Sequence, residues 1–149
     1  MLDAYSKALK YLSAREYSGF DLVKKLEKVG FSRKETEAAL ETLRQYHQQS
    51  DARFADIFVR SKSEQGQGPE RIRLGLEEHG VAPELIKRYL EEAEIDWVAL
   101  SAHVRIKKFG PLFPHTYSDQ VKQMRFLQYR GFRSHEIRTL FKEEKFDLA

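Results

Sequence analysis

The sequence predicts an all-α protein of three tandem three-helix repeats that form an elongated, curved array. Apolar residues recur almost everywhere at helical spacing, and the few glycines and prolines fall between the periodic segments. Three glycines that each precede an apolar residue, Gly30, Gly80 and Gly131, lie 50 and 51 residues apart. A regular spacing of this length is typical of helical repeat proteins.

Aligning the three glycines also aligns the apolar residues around them. A leucine lies four residues before each glycine, at Leu26, Leu76 and Leu127. A bulky apolar residue lies ten residues after each glycine, at Leu40, Leu90 and Phe141. Because glycine allows a helix to end in a positive-φ turn, each of the three is predicted to join two helices.

The first predicted repeat covers residues 1–47. A helical stripe opens it, formed by Tyr5, Ala8, Leu9 and Leu12. Serine capping patterns open its second and third helices, Ser18 with Asp21 and Ser32 with Glu35.

The second predicted repeat covers residues 48–94. Its first helix carries the stripe Phe54, Ile57, Phe58 and Ser61. Gly68-Pro69 opens the second helix, and Pro83 suits the first turn of the third.

The third predicted repeat covers residues 95–149. Its first helix carries the stripe Trp97, Leu100, Val104 and Lys107. A loop with two prolines runs from Phe109 to Tyr117, and Ser134 is predicted to cap the last helix. Units of about fifty residues are marginal alone, so stacking of neighbours is expected to stabilise the array and give it its elongated, curved shape.

Composition excludes several classes of protein. There is no cysteine, which rules out disulfides and thiol nucleophiles. No apolar run approaches the roughly 20 residues that span a bilayer, and no signal peptide is recognisable at the start, so we expect a cytoplasmic protein. No long unpaired apolar stripe demands a dimer, so a monomer is expected.

Basic residues concentrate in the last third of the chain. Residues 51–100 carry seven Lys/Arg against eleven Asp/Glu, whereas residues 101–149 carry ten against five. Between His103 and Arg133 the only acid is Asp119, and the bases are Arg105, Lys107, Lys108, Lys122, Arg125, Arg130 and Arg133. This stretch is either a contact surface for a polyanion or an ordinary solvated helix face.

The sequence offers no recognisable catalytic chemistry. Gly66-Gln67-Gly68-Pro69 lacks the following Lys-Ser/Thr of a phosphate-binding loop, and the five histidines are scattered without a metal-binding pattern. No nucleophile elbow is present. We therefore expect no cofactor, no metal and no enzymatic activity.

Two clusters are the candidate contact sites for a partner or DNA. The first comprises Arg60, Lys62, Arg71 and Arg73, where the spacing of Arg71 and Arg73 sends them to different faces and one is expected to pair internally. The second comprises Lys122, Arg125, Tyr129 and Arg130, and Lys107 and Lys108 are added to it. Lys122, Arg125 and Tyr129 share a helix face that can present two cations and an aromatic ring to a phosphate backbone.

Several segments together resemble the RecX family of regulatory proteins. Residues 51–55, 58–62 and 66–76 resemble the family's central signature, and residues 96–97, 107–110 and 125–132 resemble its C-terminal signature. The opening segments 8–12, 15–18 and 22–26 are similar to its first repeat. The chain departs from the family at residues 47–50, where a Gly-Tyr-Leu-Asp-like turn is usual.

The resemblance implies a small protein of tandem three-helix repeats that binds the recombinase RecA. Its main target would be the RecA filament on single-stranded DNA, in which it would restrain filament extension, ATP hydrolysis, strand exchange and coprotease activity. The alternative suggested by residues 103–133 is a helical protein that binds nucleic acid on its own.

Overall fold

The computed structural model describes residues 2–147, with side chains through residue 144. Residue 1 of the first predicted repeat and residues 148 and 149 of the third lie outside the described residues. The described part of the chain has nine helices and no strand. They are α1 (Ala4–Ala14), α2 (Gly19–Lys28), α3 (Arg33–Gln45), α4 (Asp51–Glu64), α5 (Pro69–Glu78), α6 (Pro83–Glu92), α7 (Trp97–Phe109), α8 (Tyr117–Tyr129) and α9 (Ser134–Asp147).

Local capping residues set several of these boundaries where the sequence predicts them. The Ser18 hydroxyl accepts from the Asp21 backbone N–H at 3.1 Å and caps α2. Ser32 and Glu35 form a reciprocal capping box at the start of α3, with both hydrogen bonds at 3.1 Å. Two proline starts are also confirmed, Pro69 for α5 and Pro83 for α6.

The predicted glycine turns are confirmed in all three repeats. Gly30, Gly80 and Gly131 have φ values of 107°, 73° and 102°. In each case the N–H of the residue after the glycine donates to the carbonyl of the leucine that lies four residues before the glycine. The distances are 3.2 Å to Leu26, 3.1 Å to Leu76 and 3.1 Å to Leu127. This pattern satisfies carbonyls at the helix end that would otherwise lack a partner, and all three leucines are buried.

The predicted cap at Ser134 is wrong by one residue. Helix α9 begins at Ser134 itself, and the Arg133 carbonyl accepts from the Ile137 N–H at 3.0 Å. The Arg133 N–H donates to the Glu136 carboxylate at 2.7 Å, as the Ser32 N–H does to Glu35. The third repeat therefore keeps the glutamate half of a capping box, with an arginine where the first repeat has serine.

The connection between α7 and α8 is an irregular loop, as predicted. Helix α8 begins at Tyr117, and its cap is Thr116, whose hydroxyl accepts from the Asp119 N–H at 3.1 Å. Phe113 anchors the loop, since it is buried and its ring centroid lies 5.6 Å from that of Phe141.

The chain divides into two compact units, and the boundaries between them fall within α4, α5 and α6. The first unit comprises the described residues up to Phe58 together with Leu76–Tyr89. Helices α1, α2 and α3 pack on one another in it. Their core is a cluster of buried residues, Ala8, Tyr17, Leu22, Leu26 and Leu43.

The second unit comprises Val59–Gly75 and the described residues from Leu90 onward. Helix α7 packs on α8 and α9, and α8 packs on α9. The core cluster is Val104, Phe113, Leu127, Phe132, Ile137, Leu140 and Phe141.

The turn at residues 47–50, where the sequence departs from the family pattern, is organised by Gln49. This side chain is buried and donates to the Tyr17 carbonyl at 3.1 Å and to the Asp51 carboxylate at 2.9 Å. It also accepts from Arg44 Nε at 2.9 Å. Gln49 thereby ties α3, α4 and the start of α2 together within the first unit.

Candidate functional site

All ten predicted contact residues belong to the second unit. Seven of them are exposed, Arg60, Arg71, Lys107, Lys108, Lys122, Arg125 and Tyr129. Three are half-buried, Lys62, Arg73 and Arg130. Arg60 and Lys62 lie on α4 within about a turn and a half of Gln65, a residue that bonds to Arg130.

A backbone junction joins the start of α5 to the end of α8. The Gly68 N–H donates to the Arg130 carbonyl at 2.8 Å, and the Glu70 N–H donates to the Gly131 carbonyl at 2.9 Å. Backbone N–H groups at the start of α5 and carbonyls just after the end of α8 lack intrahelical partners, and here they bond to each other. We call this contact the α5–α8 junction, and it joins the two candidate clusters that the sequence places about sixty residues apart.

Arg71 and Tyr129 meet at this junction. Arg71 Nη1 donates to the Tyr129 carbonyl at 3.2 Å, and its guanidinium carbon lies 5.1 Å from the centroid of the Tyr129 ring. The Tyr129 side chain remains 71% exposed. An exposed aromatic ring beside a cation is suited to stacking against a planar group, and the adjacent charge attracts anions.

Lys122 and Arg125 extend this surface along α8. Both are exposed, and they precede Tyr129 by seven and four residues on the same helix. That spacing places all three on one face, as the sequence predicts. We call Arg71, Lys122, Arg125 and Tyr129 the α5–α8 surface.

Arg73 is the member of its pair that forms an internal ion pair, with Glu70, whereas Arg71 bonds to a backbone carbonyl. Its Nε donates to the Glu70 carboxylate at 3.1 Å, and Arg133 Nε lies 3.9 Å from the other oxygen of the same carboxylate. The hydrogen bond from Arg73, and then the positive charges of Arg73 and Arg133, lower the pKa of Glu70 below its ordinary value of 4.5.

The lowered pKa of Glu70 predicts an acid-sensitive contribution to stability. Because the folded-state pKa is depressed, the contribution is present above pH 4.5 and is lost as the pH falls through the folded pKa. Near pH 6 we expect E70Q to lower the free energy of unfolding by at most about 1 kcal/mol, since the partly exposed pair is screened by solvent. Urea denaturation of both proteins across pH 2.5–7 checks this, and a difference that does not shrink in acid would contradict it.

The Arg130 side chain lines a cleft in the second unit. Its Nη2 donates to the Gln65 carbonyl at 2.7 Å, at the end of α4. Lys107 and Lys108, from the last turn of α7, line the same cleft of about 380 Å³. The structure therefore brings Arg130, Lys107 and Lys108 together although they come from different helices.

Arg105 does not belong to the basic surface, contrary to the sequence interpretation of residues 103–133. Its side chain is 1% exposed, and its Nη2 lies 2.8 Å from a carboxylate oxygen of Glu144. Its Nη1 donates to the Gln123 side chain at 3.2 Å and to the Leu112 carbonyl at 3.3 Å. Arg105 thus connects α7, α8, α9 and the α7–α8 loop inside the second unit.

One contact outside these clusters was not predicted from the sequence. In the first unit, His79 Nδ1 pairs with the Asp21 carboxylate, and its ring packs edge-on against Phe54 and Phe58. Asp21 lies in α2 and His79 in the turn after α5, 58 positions apart, so no local pattern marks the pair. Among the described residues, no group of three or more histidines and carboxylates could hold a metal ion, and no helix is long and apolar enough to cross a membrane.

Comparison with known proteins identifies the family. Residues 4–43 match the family model described as RecX, first three-helix domain, and residues 50–90 match RecX, second three-helix domain. The solved RecX structure from Lactobacillus salivarius aligns with a TM-score of 0.83, covering 96% of this chain and 95% of that chain at 21% identity. This likeness concerns the fold, and together with the nine described helices it confirms an all-α repeat architecture.

Relatives of higher identity cover nearly the whole chain. The regulatory protein RecX of Legionella pneumophila (strain Corby) is 39% identical over 145 residues, which is 97% of each chain. The regulatory protein RecX of Halorhodospira halophila is 39% identical over 132 residues, covering 89% of this chain and 82% of the relative. Because its first two three-helix units match in order and a relative covers 97% of its length, the chain belongs to the RecX family of regulatory proteins.

Proposed function

We propose that this protein regulates RecA by binding it, chiefly in its filament on single-stranded DNA. In this proposal it restrains filament extension, ATP hydrolysis, strand exchange and coprotease activity, and it acts as a cytoplasmic monomer. The observation that carries the proposal is membership in a family of regulatory proteins over 97% of the chain. The role is regulatory, since it requires contact with a partner and no chemistry on a substrate.

The α5–α8 surface supports a filament as the target. A filament on DNA carries many phosphates. Once one contact to such an extended partner has formed, further contacts form at a high effective concentration, so several weak contacts together give a higher overall affinity. Arg71, Lys122 and Arg125 supply positive charge, and Tyr129 supplies an exposed ring beside Arg71. Exposed charges of this kind raise the rate of association more than they contribute to final affinity.

The direct test is DNA-dependent ATP hydrolysis by RecA with this protein titrated in. A reaction with the protein and DNA but without RecA serves as the control. We expect inhibition at well below one molecule per RecA, which would also favour action at filament ends over coating of the groove. No inhibition at a clear molar excess would contradict the proposal.

A second candidate function is binding of nucleic acid without RecA. The observation that favours it is Tyr129, which is 71% exposed and lies beside the Arg71 guanidinium. Phosphate contact alone weakens log-linearly with salt, with a slope of about −0.7 for each phosphate neutralised on a single strand. Tight, strongly salt-dependent binding to naked single-stranded DNA, together with no effect on RecA, would favour this function.

Charge reversal on α8 is expected to weaken regulation without unfolding the protein. In K122E/R125E, two exposed cations become anions, so we expect the concentration for half-inhibition of RecA to rise at least tenfold. The matched control is K34E/K87E, which makes the same charge change at exposed lysines of the first unit. Unchanged inhibition by a folded K122E/R125E, or equal loss in both variants, would remove Lys122 and Arg125 from the site.

A further inference from the structure

A cleft in the second unit, beside Arg130, is not used by the RecA proposal. It opens between the end of α4, the last turns of α7 and the C-terminal half of α8, with a volume of about 380 Å³. Sites that bind small molecules have volumes upward of about 300 Å³. The cleft is thus large enough for one small organic ligand.

One side of the cleft is cationic. It is lined by Lys107, Lys108 and Arg130, with His103 nearby, and Glu64 is the only carboxylate among the lining residues. Within the described residues, neither Lys107 nor Lys108 lies in an ion pair, and both are exposed. Three cations therefore line the cleft with one carboxylate, and the lining carries a net positive charge.

The other side of the cleft is apolar and contains an aromatic ring. Leu100, Val104 and Phe126 line it. The Phe126 ring is fixed by an edge-to-face contact with Phe109 at 5.3 Å, and Lys108 Nζ lies 5.5 Å from its centroid. A ligand with an anionic group and a flat apolar portion would find a matching surface for each part.

Arg130 is held in place at the edge of the cleft before any ligand binds. Its Nη2 bonds to the Gln65 carbonyl at 2.7 Å, and it lies so close to Gly66 that a Cβ there would be 2.7 Å from the same nitrogen. Gly66 has a φ of 84°, which a glycine adopts at little cost. A donor fixed in advance loses little conformational freedom on binding, which favours affinity.

We propose that this cleft binds a nucleoside phosphate, with the phosphate against Lys107, Lys108 and Arg130 and the sugar and base against the apolar side. A carboxylate side chain alone would satisfy the cations but would leave Leu100, Val104 and Phe126 uncovered. The ligand is either a free nucleotide or one nucleotide unit of a single strand. In the second case the inference rests on the proposed function, since it assigns this cleft a contact with the strand.

The test uses the full chain labelled with ¹⁵N and no RecA, so its failure leaves the RecA proposal standing. Amide chemical shifts are followed during titration with dTMP, with a single-stranded pentamer of thymidylate, and with a pentaglutamate peptide. The variant is K107Q/K108Q, and the charge-matched control is K34Q/K87Q in the first unit. Thermal unfolding confirms that each variant is folded.

We expect dTMP, the pentamer or both to shift amides of residues 64–66, 100–108, 126 and 130. Binding by K107Q/K108Q should be at least tenfold weaker, and that of the control should change less than twofold. For the pentamer, the salt slope should fall by at most about 0.7, since the single phosphate bound in the cleft loses two of its three cations. Binding of dTMP identifies a free nucleotide as a ligand, and binding of the pentamer alone identifies the strand. The proposal is overturned if neither ligand shifts these amides, if K107Q/K108Q binds like the parent protein, or if pentaglutamate binds the same residues as tightly.

Discussion

Replacing Gly131 with alanine is expected to lower the free energy of unfolding by about 3 kcal/mol, whereas the same change at Gly30 should cost about 1 kcal/mol. The two glycines occupy equivalent turns with similar φ values, 102° and 107°, so the backbone strain is shared. Only at Gly131 does a Cβ collide, at 2.4 Å from the Cβ of Arg71 and 2.7 Å from its backbone nitrogen. At Gly30 nothing lies within 4 Å of the added carbon.

Urea denaturation followed by the fluorescence of Trp97 measures both losses. Trp97 is the only tryptophan and packs against the core of the second unit, while circular dichroism follows the whole chain. Because the collision displaces Arg71 from Tyr129, G131A should also weaken inhibition of RecA, and G30A should not. Equal destabilisation by the two substitutions would contradict the packing assigned to the α5–α8 junction.

Replacing Arg105 with methionine is expected to destabilise the protein by about 4 kcal/mol. The substitution keeps most of the side-chain volume but removes the positive charge that pairs with Glu144, whose side chain is only 18% exposed. It also removes a donor to Gln123, which is buried. A buried carboxylate without its partner and an unpaired amide oxygen both cost free energy.

A double variant separates the lost ion pair from lost packing. In R105M/E144Q the carboxylate is neutral, so we expect the loss to shrink to about half that of R105M. The control R125M changes an exposed arginine of the same unit and should cost less than about 0.5 kcal/mol. A loss for R105M no larger than that for R125M would contradict the buried role of Arg105.

The repeat was predictable from the sequence because its defining signals are local. Each glycine turn is closed by a hydrogen bond to the leucine four residues before the glycine, so the pattern of one segment determines its structure. The Ser134 cap was predicted one residue too late because serine is a preferred N-cap residue and arginine is not, although Glu136 bonds to the Arg133 N–H. Helix boundaries commonly differ by this amount.

The candidate site was only partly predictable, since its decisive contacts are long-range. Lys122, Arg125 and Tyr129 share a helix face that the spacing reveals. Arg71 meets Tyr129 across 58 residues, and no periodicity indicates that contact. Arg105 looked like one more surface cation because its partner Glu144 lies 39 residues further on, in another helix.

The central claim is that this protein acts on RecA and not on DNA alone, and comparative binding tests it most directly. Fluorescence anisotropy compares its binding to a labelled single strand with its binding to the same strand coated by RecA and a slowly hydrolysed ATP analogue, at equal salt. We predict at least tenfold tighter binding to the coated strand, and a smaller salt slope than the naked strand gives. Equal or tighter binding to the naked strand would contradict the claim and favour a nucleic-acid-binding protein.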